Sequence, residues 1–153
     1  MDKRTEKWDL RFLELAKLVS TWSKDPSTQT GAVIVRPDLS VCSVGFNGFP
    51  KNMPDNPEWY AKREEKYSRI IHCEVNAFIH ARESIENCTL YTYPFACCDR
   101  CVVQMLQAGI GRFVFPKCPL HLLERWEKAL EISKGYIYSA GIPYSEVVLD
   151  FIG

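Results

Sequence analysis

Apolar residues recur every three or four positions near the start of the chain. Trp8, Phe12, Leu15 and Val19 share this spacing, which predicts an amphipathic helix with one buried stripe. The polar segment that follows, "KDPSTQTG", contains Pro26. Because proline lacks a backbone N–H and clashes with the preceding turn, we expect the helix to end there.

Short β-branched and aromatic runs then alternate with longer helical patterns. "GAVIVR" and "VCSVGF" flank the turn "PDLS" and predict a hairpin. Three further strands are predicted at "TLYTY", "RFVFP" and "YSEVVLDF". Helices are predicted for "EWYAKREEKYSRI", "HCEVNAFIHAR", "CDRCVVQMLQAG" and "LLERWEKALEISKGYIYSA". This order predicts a single α/β domain over residues 1–153, with helices on both faces of a mixed sheet.

Composition narrows the class of protein. The 19 basic residues balance 19 acidic ones, which favours a small substrate over nucleic acid. No apolar run is long enough to cross a membrane, and the charged N-terminus does not resemble a secretory signal. We therefore expect a cytoplasmic protein. In that reducing compartment, an odd count of seven cysteines indicates metal binding, catalysis or burial rather than a disulfide framework.

Four chemically active residues fall where two predicted helices begin. In the order helix, strand, helix, the two helices run parallel, so their N-termini meet at one end of the sheet. His72, Glu74, Cys98 and Cys101 lie in those first turns. Imidazole and thiolate are preferred zinc ligands, and three of them leave one position for water, as in catalytic sites. Glu74 beside that water is suited to proton transfer.

Other interpretations are less well supported. A zinc ribbon needs a second Cys/His pair at similar spacing, and a redox dithiol leaves His72 and Glu74 unexplained.

The mixed charges of "KREEKYSR" predict a solvated helix face. Trp59 and Tyr60 precede the helix of His72 and are candidates for a lid over the site. Trp126 is expected in the core or in a subunit contact.

The motifs resemble those of the deoxycytidylate deaminases, within the cytidine deaminase-like superfamily. The resemblance extends from about Trp8 to Gly141 and rests on "WSKDPSTQTGAVIV", "GFNGFP", "HCEVNAF", "TLYTYPFACCDRC" and "QAGI". It implies a three-layer α/β/α fold with a mixed sheet of about five strands. It also implies a Zn2+ site formed by His72, Cys98 and Cys101, and hydrolysis of dCMP to dUMP and ammonia, with Glu74 protonating ring N3 and then the departing amine.

The resemblance also assigns the substrate-binding residues. Asn47 matches the asparagine that reaches the sugar, and Ser23 and Lys24 lie on the loop that handles the phosphate. Backbone groups at Cys73 and around Cys97 are expected to hold the pyrimidine ring. These two cysteines replace the alanine and proline usual in the family. The preference for a substituent at position 5 of the ring is therefore left open.

The resemblance further implies a homo-oligomer with active sites near subunit boundaries. Several relatives are regulated by deoxynucleoside triphosphates such as dCTP and dTTP, but no residue of this sequence indicates that regulation. Two other functions remain open at this stage. One is deamination of another base, a nucleoside or a base within nucleic acid. The other is a non-catalytic, zinc-stabilised binding module in which Cys97 closes the fourth metal position.

Overall fold

The computed structural model describes residues 3–149, with side chains from residue 5 onward. The elements in chain order are α1 (Lys3–Ser20), β1 (Gly31–Val35), β2 (Val41–Phe46), α2 (Pro57–Ala61), α3 (Arg63–Arg69), α4 (Cys73–Ala81), β3 (Thr89–Tyr93), α5 (Asp99–Gln107), β4 (Arg112–Pro116), α6 (Leu120–Ser139) and β5 (Tyr144–Val147). The end of the predicted last strand, residues 150 and 151, lies outside the described residues.

The predicted helices and strands are found in the predicted order, with one difference. The charged segment before His72 forms two short helices, α2 and α3, rather than one. The break is at Lys62, whose backbone is extended (φ −95°, ψ 115°).

The five strands form one mixed sheet in the order β2-β1-β3-β4-β5. β1 is antiparallel to β2, its hairpin partner, and also to β3. β3, β4 and β5 are parallel, as expected for strands connected by helices on one face. The mixed sheet of five strands predicted from the sequence is confirmed.

β1 is buried on both faces and separates two apolar clusters. Because side chains alternate along a strand, Ala32 and Ile34 face one layer and Val33 and Val35 the other. The first pair packs in a cluster with residues of α4, α5 and α6. The second pair packs against α1. The fold is therefore a three-layer α/β/α arrangement.

A buried ion pair fixes α1 on its face of the sheet. Asp9 is only 2% exposed, and its carboxylate accepts hydrogen bonds from Arg112 Nη1 at 2.9 Å and from the Tyr91 hydroxyl at 2.6 Å. Burial, followed by this bond to Asp9, raises the pKa of Tyr91 above its usual value. The three side chains connect α1 to β3 and β4.

On the opposite face, Gly45 allows α4 to lie against β2. A Cβ atom at this position would be 2.3 Å from the backbone nitrogen of Ala77, closer than two such atoms can approach. This close packing sets the position of the N-terminus of α4, where His72 and Glu74 lie. Within residues 3–149, no helix combines the length and apolarity needed to cross a bilayer.

Candidate active site

The start of α4 brings His72 and Glu74 to the same side. His72 is the N-cap residue and has an extended backbone (φ −72°, ψ 157°), while Glu74 lies in the first turn. In mid-helix, residues two apart would diverge by about 200°, but the extended N-cap removes that divergence. His72 Nδ1 is 3.8 Å from Glu74 Oε1. Paired backbone hydrogen bonds between Gly48 and Ile71 hold the chain just before His72.

The start of α5 supplies the two cysteines. Cys98 is the N-cap residue of α5, and Cys101 lies in its first turn. The turn between β3 and Cys98 is closed by a hydrogen bond of 2.8 Å from the Thr92 hydroxyl to the Phe95 carbonyl. α6 anchors the same turn, because the buried Ser133 hydroxyl donates to the Cys97 carbonyl at 2.6 Å.

The two helix starts converge, as the sequence predicts. One potential ligand atom from each of His72, Glu74, Cys98 and Cys101 lies within 4.8 Å of the others. His72 Nδ1 is 3.3 Å from Cys98 Sγ and 3.2 Å from Cys101 Sγ. Tetrahedral zinc at ordinary bond lengths separates a nitrogen and a sulfur ligand by roughly 3.6 Å. The donor types and their spacing therefore fit zinc.

The surroundings of the two cysteines raise the pKa of both thiols. For Cys98 the causes are first its hydrogen bond with Cys101 and then burial. For Cys101 the first cause is its hydrogen bond with Cys97. A coordinating cation would outweigh these effects, because metal binding deprotonates a thiol directly.

The two cysteines that depart from the family pattern have different surroundings. Cys73 is buried beside the cavity, and its Sγ lies 2.8 Å from Glu74 Oε2. Cys97 is buried in the apolar core and lies outside the four-residue donor group found among the described residues. Its thiol hydrogen-bonds with that of Cys101, but its sulfur does not belong to the group of mutually close donor atoms. The geometry thus gives no support to Cys97 as a fourth ligand.

A cavity adjoins the donor group, and its space, including the part open to solvent, is about 570 Å³. Its walls come from the loop after α1, from α3, from the turn after β3 and from the first turns of α4 and α6. The lining residues are Asp25, Thr28, Thr30, Asn47, Lys66, Tyr67, Ile70, His72, Cys73, Glu74, Tyr93, Phe95, Ala96, Cys98, Arg125 and Trp126.

One wall contains a buried ion pair that the sequence analysis missed. Lys66 Nζ is 2.7 Å from Asp25 Oδ2, with side-chain exposures of 9% and 2%. Asp25 also accepts hydrogen bonds from the backbone nitrogen of Ser27 and from the Asn47 side chain. The prediction that "KREEKYSR" forms only a solvated face is wrong for Lys66, because Asp25, 41 residues away, draws this lysine inward.

Asn47 lines the cavity but is extensively bonded to the protein. Its Oδ1 accepts from the Thr30 backbone at 2.9 Å, and its Nδ2 donates to the Thr28 carbonyl at 2.9 Å. Ser23 is buried and donates to the Asn47 carbonyl at 2.8 Å. These bonds shape the loop after α1. The contact of Asn47 with the sugar remains a prediction.

Ser23 and Lys24 do not line the cavity. The Lys24 side chain is 71% exposed and pairs with Asp55 at 2.9 Å. Cys97 is likewise absent from the cavity wall, and its neighbour Ala96 takes that place. The substrate-binding roles of these three residues therefore rest on the family resemblance.

The same end of the cavity contains an arginine that the sequence analysis did not single out. Arg125 Nη1 donates to the Ser27 hydroxyl at 2.9 Å, and Nη2 is 3.4 Å from the Tyr67 hydroxyl. The bond from Arg125 lowers the pKa of Tyr67. Within the described part of the chain, Arg125 has no carboxylate partner at ion-pair distance. A positive charge is therefore available beside the cavity.

Two predictions about aromatic residues need correction. Trp126 is not simply a core residue: its ring packs on Phe95, with centroids 5.1 Å apart, and lines the cavity. The candidate lid residues Trp59 and Tyr60 do not line it. Tyr60 stacks on Phe49 at 4.0 Å instead. Trp126 directly follows Arg125 in the sequence, which is a signal for a position at the cavity. Its helical spacing to Leu130, however, fits a core stripe equally well.

Comparisons with known proteins agree with this site. Residues 6–117 match the model of the cytidine and deoxycytidylate deaminase zinc-binding region. An uncharacterized deaminase from the luxG 3′ region of Aliivibrio fischeri is 37% identical over 146 residues, covering 95% of this chain and 97% of that protein. The probable deoxycytidylate deaminase of Caenorhabditis elegans is 36% identical over 143 residues, covering 91% of this chain and 69% of that protein.

Two further comparisons extend to vertebrate and viral proteins. The deoxycytidylate deaminase of Mus musculus is 31% identical over 153 residues, covering 94% of this chain and 85% of that protein. The dCMP deaminase of cyanophage S-TIM5 superposes with a TM-score of 0.70 at 19% identity, covering 96% of this chain and 100% of that one. A second structure of the phage protein contains dCMP and dUMP. The structural likeness is evidence for the fold.

Proposed function

This chain belongs to the cytidine and deoxycytidylate deaminase family, and from that membership we propose that it is a zinc-dependent dCMP deaminase. The observation that carries the proposal is the meeting of His72, Glu74, Cys98 and Cys101 at the wall of one cavity. As a member of this family, the chain is a hydrolytic deaminase. The choice of dCMP as substrate follows the named relatives.

His72 Nδ1, Cys98 Sγ and Cys101 Sγ would hold the zinc ion. Bound there, zinc supplies a water molecule of lowered pKa as the nucleophile. The fourth donor of the group, Glu74, is a carboxylate only 3% exposed. A carboxylate in that position is suited to move protons between water and substrate rather than to bind the metal.

The reaction is a hydrolysis of the C4–N bond of the ring. Glu74 takes a proton from water and delivers it to ring N3, while the water oxygen bonds to C4. Glu74 then takes the remaining proton of that water from the C4 hydroxyl and gives it to the amine, and the C4–N bond breaks to give ammonia and a carbonyl at C4. The contact between Cys73 Sγ and Glu74 Oε2 leaves Oε1 directed toward His72.

A monophosphate is favoured because Arg125 stands at the cavity and, among the described residues, its hydrogen-bond partners are neutral. A guanidinium group can bind two phosphate oxygens at once. Lys66 is less suited to that task, because Asp25 already balances its charge. Asn47, Ser23, Cys73 and Cys97 keep the substrate-binding roles that the resemblance assigns to them as predictions. For the phosphate we propose Arg125 in place of Lys24, the residue that the resemblance suggests.

The remaining expectations come from the sequence pattern or from the resemblance. They are one domain over residues 1–153, a homo-oligomer, a cytoplasmic location and regulation by dCTP or dTTP. Gel filtration with light scattering tests the oligomer, and kinetics with added triphosphate test the regulation.

Ammonia release tests the proposed function. The zinc-loaded protein is offered dCMP, deoxycytidine, 5-methyl-dCMP and a short single-stranded oligodeoxynucleotide in parallel. We expect the highest kcat/KM with a monophosphate, and the two monophosphates report any preference at position 5. Greater activity on the nucleoside or the oligonucleotide would replace the proposed substrate. No ammonia from any of the four, with zinc bound and the protein folded, would contradict the proposal.

A further inference from the structure

Two buried polar atoms in the described part of the chain lack a hydrogen-bond partner, and both belong to residues that line the cavity. They are the hydroxyl oxygen of Thr28 and the indole nitrogen of Trp126. Buried polar groups are nearly always paired, because an unpaired group loses its hydration without a replacement. Two exceptions in one cavity indicate that a bound molecule completes their hydrogen bonds.

The two atoms lie on different walls. Thr28 belongs to the loop after α1, where Asp25 accepts a hydrogen bond from its backbone nitrogen at 3.4 Å and the Asn47 side chain donates to its carbonyl. Trp126 belongs to α6 and packs against Phe95. The backbone groups of Thr28 are thus used by the loop, whereas its hydroxyl is not.

The chemistry of each atom restricts its partner. An indole N–H can only donate, so Trp126 requires an acceptor such as a ring carbonyl, sugar or phosphate oxygen. A threonine hydroxyl can donate and accept, so Thr28 can pair with a sugar hydroxyl or a phosphate oxygen. A deoxynucleotide carries all of these groups, whereas an apolar ligand carries none.

We propose that Thr28 and Trp126 are substrate-specificity residues, and that the Thr28 hydroxyl and the Trp126 indole N–H both hydrogen-bond to the nucleotide in the cavity. This inference rests on the proposed function, because it takes the ligand to be dCMP or its product dUMP. A site with buried polar groups discriminates strongly between ligands, because a ligand that leaves those polar groups unpaired binds poorly. These two residues therefore favour a polar nucleotide over an apolar ring of the same size.

Two conservative variants remove the polar atoms and keep the shapes. Thr28→Val replaces the hydroxyl by a methyl group, and Trp126→Phe keeps an aromatic ring against Phe95 without the N–H. Each should raise the KM for dCMP and the Kd for dUMP about fivefold, the effect of one hydrogen bond. The kcat should change less than KM, because neither atom takes part in the proton transfers.

Stability separates binding from a structural role. Deleting an atom that has no partner in the protein breaks no internal hydrogen bond. The unfolding temperature of Thr28→Val without nucleotide should therefore stay the same or rise. Trp126→Phe also removes part of the ring that packs on Phe95, which lowers stability by itself, so the stability test uses Thr28→Val. Thr21→Val and Trp22→Phe make the same chemical changes at exposed positions outside the cavity, and they should leave KM and Kd unchanged.

The measurements are steady-state kinetics with dCMP, calorimetric titration with dUMP and thermal unfolding without nucleotide. Unchanged KM and Kd in Thr28→Val and Trp126→Phe would overturn the inference, since water rather than nucleotide would then satisfy these atoms. A lower unfolding temperature of Thr28→Val that accounts for the lost affinity would overturn it as well. If the wild-type protein neither converts dCMP nor binds dUMP, the proposed function fails and the inference falls with it. If the wild-type protein binds dUMP and the variants bind it equally well, the inference fails while the proposed function stands.

Discussion

At one end of the cavity, His72, Cys98 and Cys101 come from the starts of two helices. At the other end, Lys66 and Arg125 reach from α3 and α6 to the loop after α1. At the first end, local backbone geometry determines the site, because the start of a helix sets the position of each metal donor. The second end is built from contacts between distant parts of the chain.

The two ends of the cavity differ in how far apart their contacting residues lie in the sequence. Lys66 and Asp25 are 41 residues apart, and Arg125 and Ser27 are 98 residues apart. An ion pair of this kind forms only after the sheet and its helices have assembled. The two ends should therefore respond differently to substitution: the metal end through metal content, the far end through stability and substrate choice.

The largest effect is expected at the metal end. Cys98→Ala removes one of three zinc donors, so the protein should lose most of its zinc and all measurable turnover of dCMP. Zinc content by mass spectrometry and ammonia release on the same sample check this. Because Cys98 is also part of the core, Cys88→Ala, a buried cysteine outside the donor group, is the matched control and should keep both. Full zinc content in Cys98→Ala would exclude Cys98 as a ligand.

At the far end, breaking the buried ion pair should mainly affect folding. Lys66→Met leaves the Asp25 carboxylate buried without its cation, which typically costs about 3–5 kcal/mol. The double variant Asp25→Asn, Lys66→Met removes both charges and keeps an oxygen for the Ser27 backbone, so it should regain most of that loss. Denaturant unfolding measures both. If the double variant is as unstable as the single one, the charge balance is not what holds this wall.

Arg125 should control the choice between nucleotide and nucleoside. Arg125→Gln removes the positive charge beside the cavity, so kcat/KM for dCMP should fall about tenfold or more, as expected for a hydrogen bond to a charged group. Activity on deoxycytidine should not change, which makes the nucleoside an internal control. An equal loss for both substrates would show that Arg125 shapes the wall rather than binds the phosphate.

Lys24 should have the smallest effect. Its side chain is largely exposed and pairs with Asp55, and exposed ion pairs contribute at most about 1 kcal/mol to stability. We expect Lys24→Ala to change the KM for dCMP no more than about twofold in steady-state kinetics. A large rise for dCMP alone, together with normal behaviour of Arg125→Gln, would move the phosphate site from α6 to the loop after α1.

The same contrast explains what the sequence could predict. The metal end was predictable because few residue types bind zinc, and because their placement at helix starts follows from local pattern. Lys66 was not predictable, since a lysine in a run of mixed charges looks the same whether it faces water or a buried aspartate. Trp126 and Leu130 fit a core stripe by spacing alone, and only the packing of Phe95 shows that Trp126 faces the cavity.

For the fold, too, local features were predictable from the sequence and long-range contacts were not. Alternation of strands and helices predicted the mixed sheet and its layers, because period and element order are local properties. The break at Lys62, which separates α2 from α3, carries no proline or glycine signal. Likewise, the resemblance identified Asn47 for the sugar but could not show its bonds to the loop after α1. Hydrogen bonds of that kind depend on the assembled structure.

The most direct test of the account is zinc content and dCMP turnover measured together on Glu74→Gln. We predict wild-type zinc content and a loss of turnover of at least about a hundredfold, because the variant removes the proton carrier and keeps all three metal donors. Loss of zinc from Glu74→Gln would make Glu74 a ligand and contradict the account. Unimpaired turnover with zinc bound would contradict it equally.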